Sequence, residues 1–167
     1  VGGLIGFGTM AFGANRENAI ENSYSRSDVY ATDPFGSVGG IYGWAQTAVE
    51  IKNVYSTGKI NGLKDVGAFA GQVGGILIEN SYFDVESSEL TEPFGTNQGP
   101  EHDIEGLTTI EMTNSAFADI LNEGTTDNPW VQDPEINDGY PHLGQTLSIG
   151  DFIVDNLEVK IYPSTVD

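Results

Sequence analysis

The sequence predicts an all-β fold built as a β-solenoid of about three rungs, closed by a C-terminal cap that contains one short helix. Three observations predict it. A block repeats along the first half of the chain, apolar and polar residues alternate with period two inside each block, and turn-forming residues separate the alternating runs. Such a unit cannot bury its apolar side alone, but parallel stacking at about 4.8 Å per strand buries it.

The repeat consists of two kinds of block that alternate. The glycine-led blocks and the Ile-x-Asn-x-Tyr blocks are VGGLIG from Val1, VGGIYG from Val38, VGAFAG from Val66, IENSYS from Ile20, IKNVYS from Ile51 and IENSYF from Ile78. The spacings between successive blocks predict a unit near 28 residues with insertions, the larger being residues 27–37.

Inside one unit, Ile51, Asn53 and Tyr55 alternate with polar or smaller residues, which is the period of a strand. Stacked units should therefore carry an isoleucine column, a tyrosine column and an asparagine ladder. These are Ile20, Ile51 and Ile78; Tyr24, Tyr55 and Tyr82; and Asn22, Asn53 and Asn80. An inward Asn is costly unless its amide is hydrogen-bonded, so we interpret the ladder as structural in preference to a ligand-binding row.

A different pattern follows Asp84. Residues 85–105 lack periodicity and predict a long loop, whereas residues 108–121 predict a helix with Thr108 as N-cap and Glu111 completing a capping box. Because an open stack of strands needs a lid, we expect this helix to form the cap together with Trp130, Tyr140 and Leu143. The predicted domains are repeats at 1–100, a cap at 101–145, and a linker with a further strand at 146–167.

The repeated blocks resemble the GLUG repeat of bacterial surface and adhesin-like proteins. The NSYFD segment from Asn80, the LTT-x-x-M segment from Leu107 and the YP-x-L segment from Tyr140 extend the resemblance to about residue 145. One departure is the third block, where Ala68 and Phe69 replace the second Gly and the aliphatic residue. The resemblance implies a right-handed parallel β-helix at a bacterial surface, with a role in cell adhesion and without catalysis.

The segment LEVKIYP, from Leu157 to Pro163, resembles the start of the C-terminal sorting domain of type IX secretion cargo in Bacteroidota. Ser164 and Thr165 stand where that domain has Asn-Pro. The resemblance implies an extracellular or cell-surface protein, and the chain is expected to be joined to other domains of a longer parent.

The charge of the chain limits its partners. The formal net charge is -19, and acidic surfaces repel nucleic acids and anionic membranes. Residues 1–82 carry 7 acids and 5 bases, a net of -2, while residues 83–167 carry 18 acids and 1 base, a net of -17. The chain has no Cys and no apolar run of about 18 residues, so we expect neither thiolate chemistry nor insertion into a membrane.

The acidic half offers one candidate metal site. Its densest cluster of oxygen-bearing side chains consists of Asp127, Asp133, Glu135, Asn137 and Asp138. Oxygen-rich loops bind Ca²⁺, but the spacing departs from the EF-hand pattern, and a solvated acidic loop is the alternative. No other cofactor is indicated.

Few residues are candidates for ligand binding or catalysis. Trp44 follows a glycine-led block and is a candidate for stacking on a sugar, with simple packing as the alternative. His102 and His142 lie in loop-like contexts without an HExxH or GxSxG motif. The lack of a catalytic constellation predicts a non-enzymatic module, and the GLUG resemblance implies an adhesin-like surface protein that presents a binding or spacer surface to a glycan or protein ligand. A carbohydrate-binding or polysaccharide-active β-helix is the alternative, and ice binding is disfavoured because Thr does not recur at one position of the repeat.

Overall fold

The structure is a computed structural model that describes residues 1–8 and 18–144, without the side chains of residues 18 and 47–49. The strands are β1 Ile5–Gly8, β2 Asn18–Ser25, β3 Val29–Tyr30, β4 Val38–Gly39, β5 Tyr42–Ser56, β6 Ile60–Asn61, β7 Val66–Gly67, β8 Ala70–Glu79, β9 Ser81–Asp84, β10 Phe94–Asn97, β11 Ile104–Leu107, β12 Trp130–Val131 and β13 His142–Leu143. The helices are α1 Val85–Ser88, α2 Thr109–Met112 and α3 Ala116–Asn122, and a 3₁₀ turn covers Asn137–Gly139. The sorting-type strand predicted within 146–167 lies outside the described residues.

A parallel sheet of seven strands dominates the fold. Its order is β10-β8-β5-β9-β11, and β1 and β2 also pair with β5. The repeat sets the register, because Ile20 pairs with Ile51, which pairs with Ile78, while Tyr24 pairs with Tyr55, which pairs with Tyr82. Equivalent residues of successive repeats therefore lie side by side, with the isoleucines against the main core.

The predicted solenoid fold is wrong. The described residues form one large parallel sheet and three separate two-stranded sheets, β3-β6, β4-β7 and β12-β13, and within residues 1–8 and 18–144 no closed right-handed parallel β-helix is shown. The repeat requires parallel, in-register pairing, which an open sheet satisfies as well as a coil. β5 extends over Tyr42–Ser56, with a register shift against β8 between Thr47 and Glu50, and the turn-rich segments form only two-residue strands.

The C-terminal half also differs from the prediction of a single helix. Residues 108–121 form two helices, α2 and α3, instead of one. Thr113 Oγ1 donates to the carbonyl of Thr109, which also accepts from the Thr113 amide, and Asn114 Oδ1 accepts from the Ala116 amide, so a side chain replaces the helical backbone partner of Ala116 at the break. The stretch predicted as a long loop contains α1, β10 and the start of β11, and β11 pairs with β9. The capping box of Thr108 and Glu111 is present.

Candidate functional site

The asparagine column forms a hydrogen-bonded ladder. Asn80 Nδ2 donates to Asn53 Oδ1 at 2.8 Å, and Asn53 Nδ2 donates to Asn22 Oδ1 at 3.1 Å. All three residues have a left-handed backbone, with φ of 45°, 53° and 44° from Asn22 to Asn80. Asn tolerates this conformation better than most residues, so it serves both the backbone and the ladder.

The tyrosine column packs against the C-terminal elements. Tyr24 and Tyr55 stack with ring centroids 5.1 Å apart, and Tyr82 meets Phe117 of α3 edge to face, also at 5.1 Å. The Tyr55 hydroxyl donates to the carbonyl of Pro141, and burial raises the pKa of Tyr55. Met112, Phe117, Leu121, Trp130 and Tyr140 complete this second core, whereas Leu143 is exposed. The tyrosine column therefore packs the sheet against the C-terminal elements.

A buried carboxylate ties the sheet to these C-terminal elements. Asp84, at the end of β9, accepts hydrogen bonds from the amides of Glu86 and Ser87 and caps α1. Its other oxygen accepts from Thr109 Oγ1 at 2.7 Å and from the Tyr140 hydroxyl at 2.6 Å. Burial, together with the bond to Asp84, raises the pKa of Tyr140 to about 12. No role for Asp84 was predicted from the sequence, although an Asp before Val-Glu-Ser-Ser has the form of an N-cap.

The candidate calcium ligands are split between two places. Asn137 Oδ1 and Asp138 Oδ2 each accept a hydrogen bond from Arg26 at 2.8 Å, and Asp133 Oδ1 accepts from the amide of Glu135. Asp127 lies apart from them, at a polar cleft. In the described part of the chain no group of three or more Asp, Glu or His residues is arranged to hold a metal ion. Calcium binding stays a prediction.

The polar cleft has a volume of about 370 Å³ and lies beside the asparagine ladder. Strands β2 and β5 contribute one side, and the loop after α3 contributes the other. Its lining residues are Glu21, Asn22, Lys52, Asn53, Gly124, Thr125, Thr126, Asp127 and Pro129. Lys52 Nζ also lies 3.7 Å from Glu79 Oε2, outside the cleft lining. The cleft is thus mixed in charge, and none of its described lining residues is aromatic.

A second cleft, which we call the aromatic cleft, lies over β1 and β5. Phe7 pairs in register with Trp44, and their ring centroids are 5.1 Å apart with a tilt of 56°. Trp44 is 36% exposed, Phe7 53% and Phe35 83%. These three side chains, with Val1 and neighbouring Gly and Ser residues, line a volume of about 340 Å³. Exposed aromatic rings next to one another form a platform that can pack against the apolar face of a ligand.

Trp44 was predicted from the sequence as a candidate for stacking on a sugar, whereas Phe7 and Phe35 were not. A signal for Phe7 was present, because Phe7 and Trp44 each lie six residues after the Val of their block and so occupy the same column. Phe35 belongs to the insertion between two repeats, where the repeat gives no alignment. Its position beside the other rings depends on the path of that insertion.

The two histidines take part in no catalytic arrangement among the described residues. His102 packs edge to face against Phe94 at 5.2 Å, and burial lowers its pKa. His142 belongs to β13 and pairs with Val131 of β12. Neither ring hydrogen-bonds to a Ser, Thr or carboxylate side chain in residues 1–8 and 18–144.

Comparison of the chain with models of protein families, with curated proteins and with solved structures found no match. The GLUG and type IX resemblances therefore stay predictions. None of the described helices has the length and apolar character needed to cross a membrane.

Proposed function

We propose that this protein is a non-enzymatic, adhesin-like module of the extracellular or cell-surface compartment, and that its aromatic cleft is the binding surface. The observation that carries the proposal is the exposed pair of Phe7 and Trp44 with Phe35 beside it. Exposed clusters of large apolar side chains on a soluble fold mark binding sites more often than scattered single residues do. The ligand is a surface glycan or a surface protein.

The rigidity of the sheet supports this role. Phe7 and Trp44 lie on neighbouring paired strands, so their spacing is set by backbone hydrogen bonds and does not depend on a loop. Binding groups on a rigid scaffold lose little conformational entropy when a ligand docks. The pair of Phe7 and Trp44 is thus organised before the ligand arrives.

Adhesion to immobilised cells or cell-wall material tests the proposal. We expect the double variant Phe7→Ala and Trp44→Ala to lose at least tenfold in retention. Leu63→Ala is the matched control, because Leu63 is 69% exposed but does not line the cleft. Equal retention of both variants would contradict the cleft as the binding surface, and release of products from a polysaccharide panel would contradict a non-enzymatic role.

Carbohydrate binding at the aromatic cleft is the second candidate function. The tilted pair of rings supports it, since sugars present apolar C–H faces that pack on aromatic rings. A glycan array measured with and without Ca²⁺ tests this candidate and also the calcium prediction. We expect binding that Trp44→Ala abolishes and Trp44→Phe reduces, whereas an array without binding in either condition would leave a protein ligand.

The proposed location is tested separately. If the segment from Leu157 to Pro163 begins a sorting domain, a parent chain that includes the complete domain should be recovered from the cell surface or the medium of a type IX secreting bacterium. The same chain without the domain should remain in the cell. Equal secretion of both would contradict the proposal.

A further inference from the structure

A row of side chains crosses the large sheet from the aromatic cleft. Phe7 of β1 pairs in register with Trp44 of β5, which pairs with Gln72 of β8. Gln72 pairs in turn with Thr96 of β10. Residues that pair in register on parallel strands lie on the same face of a sheet. The four residues therefore form one row at right angles to the strands, which we call the transverse row.

The transverse row lies on the outer face of the sheet. Ala45 and Val73, which directly follow Trp44 and Gln72 along their strands, are fully buried in the main core. Because successive side chains of a strand point to opposite faces, Trp44 and Gln72 point away from that core. Trp44 is exposed and Gln72 is half-buried, so a ligand can reach both.

The chemical character of the transverse row changes along its length. Phe7 and Trp44 present aromatic rings at one end, and Gln72 presents an amide next to them. In the part of the chain that the structure describes, the Gln72 amide has no hydrogen-bond partner and is not enclosed. Thr96 Oγ1 donates to Asp65 Oδ1 at 2.7 Å, so its own lone pairs are available to accept a hydrogen bond.

The composition of the transverse row favours an uncharged ligand with both apolar faces and hydroxyl groups. None of its four residues is charged, and the net charge of -19 repels anionic chains. A standard protein interface buries about 800 Å² on each partner, whereas this row is one residue wide on each strand. Sugars fit the row better than a protein does, because their C–H faces pack on rings and their hydroxyls bond to amides and hydroxyls.

The spacing of the transverse row favours one shape of sugar chain. Neighbouring strands lie about 4.8 Å apart, so the row spans about 14 Å from β1 to β10. This strand spacing is similar to the rise per sugar residue of an extended, β-linked polysaccharide. Successive sugar rings of such a chain would therefore meet successive strands, whereas a curved, α-linked chain would turn away from the row.

We propose that the transverse row binds a neutral, extended, β-linked glycan chain that lies across the strands. Sugar rings pack on Phe7 and Trp44, and sugar hydroxyls bond to Gln72 and Thr96. The inference rests on the proposed function of the aromatic cleft, and it deepens that function by naming the class of ligand and its direction on the sheet.

Calorimetric titration of the whole chain with defined hexasaccharides tests the class of ligand. The extended, β-linked probes are cellohexaose, mannohexaose and chitohexaose, and maltohexaose is the curved control with the same glucose units as cellohexaose. We expect at least one extended probe to bind about tenfold more tightly than maltohexaose, because only an extended chain reaches both the rings and Gln72. Binding of none of the extended probes, or equal binding of maltohexaose, would overturn the proposal.

Two glutamine variants test the direction of the chain. Gln46 is exposed and lies on β5 two residues after Trp44, beside the transverse row and not in it. Gln72→Ala should weaken binding of the tightest hexasaccharide about fivefold, through the loss of one hydrogen bond, and Gln46→Ala should leave it unchanged. A ligand that runs along β5 would give the opposite result. That result, or equal effects of the two variants, would overturn the transverse direction.

The adhesion assay separates failure of this inference from failure of the proposed function. If no extended glycan binds but the double variant Phe7→Ala and Trp44→Ala still loses retention, the aromatic cleft is a binding surface for a different ligand. The glycan assignment alone is then overturned. If the double variant also keeps full retention, both proposals are overturned.

Discussion

Asn53 meets two requirements at a buried point of the sheet. Its backbone is left-handed, at φ of 53°, and its side chain both donates to Asn22 and accepts from Asn80. Gly would satisfy the first requirement, and Gln or Ser would offer hydrogen bonds without the same preference for the left-handed region. The combination explains why the repeat places Asn at all three positions.

We predict that Asn53→Gly lowers the free energy of unfolding by about 1–3 kcal/mol, the value of the lost ladder bonds. Asn53→Ala should cost about 1 kcal/mol more, because Ala is strained at positive φ. Asn128 provides the matched control, since it is exposed and has φ of 43°. Its Gly variant should be nearly neutral and its Ala variant should show only the backbone cost. Urea unfolding measures all four, and equal effects at the two sites would contradict the ladder contribution.

The buried pair of Tyr140 and Asp84 predicts a loss of stability in alkali. The pKa of Tyr140 is raised to about 12 in the folded protein, from an ordinary value near 10. The Tyr140 hydroxyl therefore loses its proton at a lower pH in the unfolded chain than in the folded protein. The stabilisation present below pH 10 is lost as the pH rises towards 12. One such group contributes a slope of about 1.4 kcal/mol per pH unit.

Tyr140→Phe should remove that slope and, at pH 8, cost about 1–3 kcal/mol because Asp84 loses a hydrogen-bond donor. Urea midpoints of both proteins between pH 7 and 11.5 measure the effect. The difference between the two proteins should be constant below pH 9 and shrink above pH 10. A constant difference up to pH 11.5 would contradict the role assigned to Tyr140.

At the scale of elements, close contacts between strands explain the glycine-led blocks. A Cβ added at Gly39 would meet backbone atoms of Tyr42, Ala70 and Gly71, so β4 can approach β8 only without a side chain there. Gly75 in β8, by contrast, has open space around its Cα. Glycine is therefore required at one position and replaceable at the other.

We predict that Gly39→Ala destabilises the protein by about 1–3 kcal/mol through overpacking against backbone. Gly75→Ala should change stability by less than about 1 kcal/mol, in either direction. Thermal or urea unfolding of the two variants provides the comparison. A neutral Gly39→Ala would show that β4 can move away from β8 without cost.

The elements that the sequence predicted best are those whose pattern is local. Alternation around Ile51 and Tyr55 and the repeat spacing predicted strands that pair in parallel, and the capping box predicted where α2 begins. The break after α2 was missed because Thr113, Asn114 and Ser115 compete for backbone hydrogen bonds within an otherwise helical pattern. β10 and β11 were missed because neither carries the Ile-x-Asn-x-Tyr pattern that indicated the other strands.

At the scale of the whole molecule, the repeat predicted register but not architecture. In-register pairing of Ile20, Ile51 and Ile78 is compatible with a closed coil and with an open sheet, so the repeat alone does not distinguish the two architectures. Only part of the aromatic cleft could be predicted from the sequence, for a related reason. Phe7 and Trp44 share a repeat position, whereas Phe35 reaches the cleft from an insertion.

The two halves of the chain differ in net charge, and a cation of the first half contacts the acidic second half. Residues 83–167 carry 18 acids and a single base, Lys160, so the described part of that half has no base of its own. Arg26, from the nearly neutral half, donates to Asn137 and Asp138, and its guanidinium lies 4.7 Å from the centre of the Tyr140 ring. This contact offsets part of the repulsion within the acidic half.

We predict that added NaCl stabilises the protein, because repulsion among the acidic residues is screened over about 10 Å at 0.1 M salt. Salt also weakens the attraction of Arg26, so removing that cation should make the stabilisation larger. The urea midpoint of Arg26→Met should thus be lower than wild type at 20 mM NaCl and rise more steeply towards 500 mM. Lys64→Met, which removes a cation beside Asp65 in the nearly neutral half, should keep the wild-type slope. A wild-type midpoint that falls with salt would mean that attraction between the halves outweighs repulsion within the acidic one.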